Sequence, residues 1–159
     1  MICIDLEASG LARESYPIEI AWKCTESGAS DCFLINPDTV PEWRYWDECA
    51  EELHGIELEM LQREGISADQ ACFRLNRALA GKDVISDAVE YDGFWLRRLF
   101  DACDIRQDFR LAGLESVLSA EERIQYHFIA GAAVRRHRAL QDVEDLISAI
   151  TAAQSGVEG

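Results

Sequence analysis

Short apolar runs dominate the first 36 residues and predict three β-strands. Each run is rich in apolar or β-branched residues and is bounded by Gly, Ser or Pro, as is typical of strands. The predicted strands are Met1–Glu7, Pro17–Cys24 and Ser30–Asn36. In the first strand, side-chain alternation gives one face with Ile2, Ile4 and Leu6 and another with Cys3, Asp5 and Glu7. The pattern is typical of a meander.

Helical periodicity takes over farther along the chain. A helix is predicted over Ser67–Ala80, where Ser67 and Gln70 can form a capping box and Gly81 ends the apolar stripe. The remaining predicted elements are a buried strand, Val84–Ser86, and two helices, Asp92–Ala102 and Arg138–Ala152. Strands followed by alternating helix and strand predict an α/β protein, a mixed sheet with helices on its faces.

Composition narrows the class of protein. A chain of 159 residues, 48% hydrophobic and 28% charged, is typical of one ordered domain, which we place at residues 1–153 with a frayed tail at 154–159. Its six cysteines lack a C-x-x-C pair, and its first residues lack the pattern of a signal peptide. The prediction is a cytoplasmic protein with no membrane partner. The net charge of −15 opposes loose binding to long polyanions.

Two carboxylates share a face of the first strand. Asp5 and Glu7 would lie about 6–7 Å apart, and like charges so close need a cation. Divalent Mg²⁺ or Mn²⁺ prefers such oxygen ligands. The alternative is that both acids mark a solvated strand end before the turn at Ala8-Ser9-Gly10.

Asp92 is a second candidate ligand, because it follows a buried strand and begins a predicted helix. Its alternative role is that of an N-cap, for which Asp is among the preferred residues. The preceding strand would bring Asp92 to the same sheet edge as Asp5 if the two strands were neighbours.

The last predicted helix supplies a third candidate. With its apolar stripe facing inward, Asp142 lies at the flank of that stripe and Asp145 lies nearly opposite, in solvent. His137 stands among three arginines, which disfavour its charged form, so a neutral imidazole could act as a general base. A structural or exposed histidine is the alternative.

The ordered set Asp5-x-Glu7, Tyr91-Asp92-x-x-x-Leu96 and His137-x₄-Asp142 resembles the DEDDh 3′–5′ exonucleases, which include polymerase proofreading domains, RNase T and oligoribonuclease. Asp5-Leu-Glu-Ala-Ser-Gly-Leu11 is similar to the first motif of that superfamily. Leu53-His-Gly-Ile56 is similar to a segment between its first and second motifs, and Arg136-His-Arg-Ala-Leu-Gln-Asp142 is similar to its third.

The resemblance implies an RNase H-like fold with a mixed, five-stranded sheet and a two-metal hydrolysis that releases nucleoside 5′-monophosphates. It implies two divalent ions, Mg²⁺ or Mn²⁺, held by Asp5, Glu7, Asp92 and Asp142. Asp5 would bridge both ions, Glu7 would also take part in catalysis, and His137 would accept the proton of the attacking water. The implied substrate contacts are Ala8, Ser9, Gly10, Leu11, His54 and Arg138.

The chain departs from the superfamily pattern at two places. Ser86-Asp87 stands where many members have His-Asn, and Ala8 stands where many have Thr. Both changes affect positions that orient the terminal nucleotide, and Asp87 competes with Asp92 as a candidate ligand.

Two groups of residues, one of arginines and one of aromatic residues, are candidates for contact with a nucleic acid. Arg135, Arg136 and Arg138 flank His137 and could grip phosphates, or they could be solvated arginines at a helix end. The aromatic residues Trp43, Tyr45 and Trp46 could stack on bases, but packing in a core or lid is favoured. The predicted partner is single-stranded or short nucleic acid, RNA or DNA. An oligoribonuclease restricted to very short RNA, a non-catalytic protein-binding module and a homodimer stay open.

Overall fold

The computed structural model describes residues 1–156, which form a mixed five-stranded sheet flanked by helices. The strands are β1 (Ile2–Ala8), β2 (Pro17–Cys24), β3 (Ser30–Leu34), β4 (Asp83–Ile85) and β5 (Arg110–Ala112). Their order is β3-β2-β1-β4-β5, with β1–β2 and β2–β3 antiparallel and β1–β4 and β4–β5 parallel. The predicted α/β class with a mixed sheet is confirmed, and β1 lies at its centre.

Six α-helices occur within residues 1–156: α1 (Glu48–His54), α2 (Leu58–Glu64), α3 (Ala68–Leu79), α4 (Val89–Cys103), α5 (Ala120–Ala132) and α6 (Ala139–Gly156). Short 3₁₀ turns cover Pro37–Thr39 and Leu114–Ser116. Local periodicity did not predict α1, α2 or α5. The first two have only seven residues each, and α5 buries a single side chain, that of Tyr126.

Hydrophobic residues form one cluster on each face of the sheet. Ile4 and Leu6 belong to the cluster that also contains Leu75 of α3 and Leu96 of α4. The other cluster joins residues of the opposite strand face, such as Cys3, to α6. The predicted alternation of β1 is therefore confirmed, and its acidic face is the one that α6 covers.

The ends of the helices differ in part from prediction. A capping box between Ser67 and Gln70 begins α3, as expected. In contrast, α4 begins at Val89 and its N-cap is Ala88, so the interpretation of Asp92 as an N-cap is wrong. The last helix, α6, continues to Gly156 and includes 154–156, which we expected to be frayed. Residues 157–159 lie outside the described residues.

Two further expectations concern the chain as a whole. The six cysteines, all within the described residues, are unpaired. No helix between residues 1 and 156 is long and apolar enough to cross a membrane.

Candidate metal centre

The two acids of β1 are buried rather than solvated. Asp5 is 2% exposed and Glu7 is 9% exposed, because both lie on the central strand of the sheet. The interpretation that they mark a solvated strand end is therefore wrong. Burying carboxylates is costly unless a cation or hydrogen-bond donors compensate for the lost hydration.

Three other acids come to these two and form two overlapping clusters. Carboxylate oxygens of Asp5, Glu7 and Asp142 lie within 4.8 Å of one another, and so do oxygens of Asp5, Asp87 and Asp92. Asp5 belongs to both clusters. All four acids predicted as metal ligands are thus brought together, and Asp87 joins them.

Strand pairing explains how Asp92 reaches Asp5. The parallel pairing of β4 with β1 sets Ile85 beside Cys3, so the residues after β4 continue along the side of Asp5. Asp92 then lies in the first turn of α4, where its Oδ2 accepts a hydrogen bond of 2.6 Å from the Ser86 hydroxyl. Ser86 therefore fixes the orientation of the Asp92 carboxylate.

The packing of α6 brings in the remaining ligand. Asp142 lies in the first turn of this helix and is buried, whereas Asp145 is more exposed and pairs with Arg136 at 2.8 Å. Asp142 lies at the inward face, as predicted, whereas Asp145, which we expected in solvent, is half-buried beside Arg136.

Burial and mutual repulsion raise the pKa values of Asp5, Glu7 and Asp92. For Asp5 the pKa is raised well above its usual value, by burial first and then by the charges of Asp92 and Glu7. Burial, followed by the charge of Asp142, raises the pKa of Glu7 to about 8. The pKa of Asp92 is raised to about 7, again chiefly by burial. Without a cation, the centre retains protons at neutral pH.

One arginine occupies the position of a counter-ion. Arg135 places Nη2 3.2 Å from Asp5 Oδ1 and Nε 3.3 Å from Asp142 Oδ2. Even so, Asp5 Oδ2, Glu7 Oε1 and Asp142 Oδ1 are buried and lack any hydrogen-bond partner among the described residues. Unpartnered carboxylate oxygens are the ligands that hard divalent cations prefer, so the donor set fits Mg²⁺ or Mn²⁺.

A buried ion pair beside the centre was missed by sequence reasoning. Glu19 on β2 pairs in register with Glu7 and accepts bonds from Arg138 Nη2 at 2.7 Å and from the Ala139 N–H at 2.8 Å. These contacts hold the start of α6 against the sheet. The available signal was an acid between Ile18 and Ile20, the same alternation that identified Asp5.

The three arginines around His137 are therefore all paired with acids in this structure: Arg135 with Asp5 and Asp142, Arg136 with Asp145, and Arg138 with Glu19. His137 itself lies just before α6, is half-buried, and has a φ of 55°. Histidine is one of the residues enriched in this left-handed region, which is uncommon for side chains other than glycine. Its role as a base stays a prediction.

The turn after β1 is built around Ser9 and Gly10. The Ser9 hydroxyl is buried and accepts a hydrogen bond of 3.2 Å from the Tyr16 N–H. A Cβ at Gly10 would lie 2.7 Å from Tyr45 Cε1, so no larger residue fits without movement. Ala8 is buried before the turn, and Leu11 projects from it with 71% of its surface exposed.

His54 ends α1 and is buried. Its Nδ1 accepts a hydrogen bond of 2.9 Å from the Ile56 N–H, while Nε2 is buried without a partner in the described part of the chain. Burial lowers the pKa of the imidazole, which favours its neutral form. Gly55 follows with a φ of 69°, a left-handed turn that glycine adopts at little cost.

The aromatic run before α1 packs inward. Trp43 is buried and stacks on Tyr16 with ring centroids 5.0 Å apart, while Tyr45 and Trp46 pack half-buried against the same core. Core packing, the favoured interpretation of this run, is confirmed. An apolar cleft of about 520 Å³ adjoins the metal centre between α5 and α6 and is lined in part by Tyr126, Val134 and Ala149.

No protein-family model matches this chain, and no curated protein matches it. Among solved structures, it is similar to the zinc-bound E. coli exonuclease I–single-stranded DNA complex, with a TM-score of 0.70, 14% identity, and coverage of 92% of this chain and 38% of that one. For E. coli exonuclease I with a dT13 oligonucleotide the TM-score is 0.68 and the identity 14%, with coverage of 96% of this chain and 40% of that one. For the metal-free form of the E. coli exonuclease I–single-stranded DNA complex the TM-score is 0.67 and the identity 13%, with coverage of 92% of this chain and 38% of that one.

The chain thus spans about two fifths of the length of these exonuclease I structures. At this identity the likeness concerns the fold. The fold is RNase H-like, as the motifs implied.

Proposed function

We propose that this chain is a metal-dependent 3′–5′ exonuclease of the DEDDh superfamily that releases nucleoside 5′-monophosphates from single-stranded or short nucleic acid. The observation that carries the proposal is the set of three buried carboxylate oxygens, on Asp5, Glu7 and Asp142, without hydrogen-bond partners in residues 1–156. Further support comes from the fold, which resembles that of exonuclease I bound to single-stranded DNA. Residues 1–153 would act as one exonuclease domain.

The carboxylates would hold two divalent cations, Mg²⁺ or Mn²⁺. Asp5 belongs to both clusters and is placed to be shared, Glu7 and Asp142 complete one cluster, and Asp92 belongs to the other. In such centres the paired cations stabilise the entering and leaving oxygens of an in-line displacement. The protein contributes fixed orientation, since Ser86 holds Asp92 and the Glu19–Arg138 pair holds the start of α6.

His137 would accept the proton of the attacking water. Helix α6 begins two residues after His137, and Asp142 lies in its first turn, so the start of one helix would position both the base and a ligand. The backbone of His137, the predicted base, has a left-handed conformation with a φ of 55°. General-base catalysis of this kind contributes about 10²–10⁴ in rate.

Substrate contacts would come from the turn after β1, His54 and Arg138. Leu11 offers an exposed apolar surface for a base, and Ala8, Ser9 and Gly10 form the chain between Glu7 and Leu11. His54 Nε2 is buried and has no hydrogen-bond partner among the described residues, so it would bond a substrate group that enters the protein beside it. Arg138 would contact a phosphate while it stays paired with Glu19. The net charge of −15 favours short or single-stranded substrates over long duplexes.

The test is digestion of 5′-labelled RNA and DNA, single-stranded and duplex, with Mg²⁺, Mn²⁺ or EDTA. The expected result is a ladder shortened from the 3′ end that requires the divalent ion and disappears in Asp5→Asn. Glu144→Gln removes an equal charge from an exposed acid of α6 that does not line the cleft beside the metal centre, and it should digest like the wild type. Activity of Asp5→Asn in EDTA would overturn the proposal.

A substrate length series separates the alternatives. Digestion limited to RNA of a few nucleotides would identify an oligoribonuclease. No digestion of any substrate by a protein that binds Mn²⁺ normally would contradict the enzymatic proposal and favour a non-catalytic module.

A further inference from the structure

Asp87, which the sequence offered as a competitor of Asp92 for the role of ligand, lies beside Asp92 and Asp5 in the second cluster. It follows β4 by two residues, and one of its oxygens lies within 4.8 Å of oxygens of Asp5 and Asp92. Unlike those two acids, Asp87 is exposed. It therefore reaches the cluster from the solvent side.

A buried tyrosine fixes the orientation of Asp87. The Tyr126 hydroxyl donates a hydrogen bond of 3.2 Å to Asp87 Oδ2, and Tyr126 is 3% exposed on α5. This bond leaves the second oxygen of Asp87 available. A carboxylate held in this way loses less side-chain entropy when it binds a cation than one that moves freely in solvent.

The cluster also contains an unsatisfied ligand atom. Asp5 is almost fully buried, its Oδ1 contacts Arg135, and its Oδ2 has no hydrogen-bond partner anywhere in residues 1–156. Asp92 in turn has its Oδ2 oriented by Ser86. Three carboxylates thus converge, with one buried oxygen that lacks a partner.

We infer that Asp87 is a direct ligand of the second divalent cation, with Asp5 and Asp92, and that Tyr126 is its positioning residue. The inference rests on the proposed metal centre and adds a fifth carboxylate to it. Each of the two cation sites then has three carboxylates and shares Asp5 with the other. The two sites are therefore balanced in ligand charge, a main determinant of affinity for hard cations.

The position of Asp87 also indicates what else the second ion would contact. Asp87 lines both the cleft of about 520 Å³ between α5 and α6 and a second cleft of about 480 Å³ that includes Glu90, Arg123 and His127. An ion on this side faces open space, so part of its coordination shell stays available for water or phosphate oxygens. The nucleic-acid backbone would pass Asp87 where the two clefts meet.

Mn²⁺ binding to the full chain tests the inference without relying on activity. Free Mn²⁺ is measured by electron paramagnetic resonance during titration of the wild type, Asp87→Asn, Tyr126→Phe and Asp142→Asn. Asp101→Asn is the control, because it removes an equal charge from an exposed acid of α4 that lines neither cleft. Thermal melting without metal checks that each variant is folded.

The wild type should bind two ions. Asp87→Asn should bind one ion with unchanged affinity and the other about tenfold more weakly or worse, as expected when a ligand is lost. Tyr126→Phe should weaken the binding of the same ion by a smaller factor. Asp87→Glu should bind that ion more tightly than Asp87→Asn does, and Asp101→Asn should match the wild type.

Two results would overturn the inference. If Asp87→Asn binds both ions like the wild type while Asp142→Asn loses one, Asp87 is not a ligand although the metal centre stands. If the wild type binds no Mn²⁺, both this inference and the proposed function fail.

Discussion

Replacing Glu7 with glutamine should change how the stability of the metal-free protein depends on pH. Burial and the charge of Asp142 raise the pKa of Glu7 to about 8, while in the unfolded chain it is about 4.3. Between these values the folded protein holds a proton that unfolding releases. The free energy of unfolding therefore falls as pH rises through this window, by at most about 1.4 kcal/mol per pH unit for one proton.

Glu7→Gln removes this titration and keeps the shape of the protonated acid. Between pH 6 and pH 8, the stability of the variant relative to wild type should increase by about 2 kcal/mol, since the slope declines as pH nears the folded pKa. Urea denaturation in EDTA, followed by tryptophan fluorescence at pH 6, 7 and 8, measures this difference.

Glu144→Gln is the control, because Glu144 is an exposed acid on the same helix as Asp142. Its stability relative to wild type should not vary with pH over this range. A constant difference between wild type and Glu7→Gln, or one that shrinks as pH rises, would refute the claim that Glu7 is protonated in the metal-free fold. Added Mn²⁺ should stabilise wild type at pH 8 far more than the variant.

Other predictions concern catalysis, packing and substrate binding. His137→Ala should lower kcat by about 10²–10⁴-fold with Mn²⁺ binding unchanged, whereas lost Mn²⁺ binding would indicate a ligand. Gly10→Ala should cost about 1–3 kcal/mol in urea denaturation because its Cβ would meet Tyr45 at 2.7 Å. Arg138→Ala should lower the free energy of unfolding by about 2 kcal/mol, because it leaves the buried Glu19 with one donor, the Ala139 N–H. Adding Glu19→Gln to that variant should recover part of the loss. Single-strand binding should show a salt slope near −2, about −0.7 per phosphate contact, and a slope beyond about −5 with preferred digestion of blunt duplex would contradict the few-contact interface.

Much of the fold could be predicted because strand and helix periods are local. The bounds of β2 were predicted at Pro17–Cys24, and the capping box of α3 at Ser67 and Gln70. The short helices α1 and α2 were not, because seven residues hold too little periodic pattern to stand out from a polar loop.

The predicted start of α4 at Asp92 was wrong because a local preference was overruled by packing. Asp at position 92 is a good N-cap by residue type, but the helix begins at Val89 and buries Asp92 in its first turn. Packing of α4 against the sheet, together with the bond from Ser86, outweighs the local preference.

The sequence by itself determined that Asp5 and Glu7 share one face of a strand and that Asp142 lies at the flank of an inward helix face, because both follow from backbone geometry. Only the tertiary structure decided that Asp87 and Asp92 meet Asp5, that Arg135 bridges Asp5 to Asp142, and that Glu19 binds Arg138. These contacts join residues more than 80 positions apart in most cases, through the parallel β1–β4 pair and the docking of α6. Strand partners and helix docking are set by burial of the whole core, which no local pattern encodes.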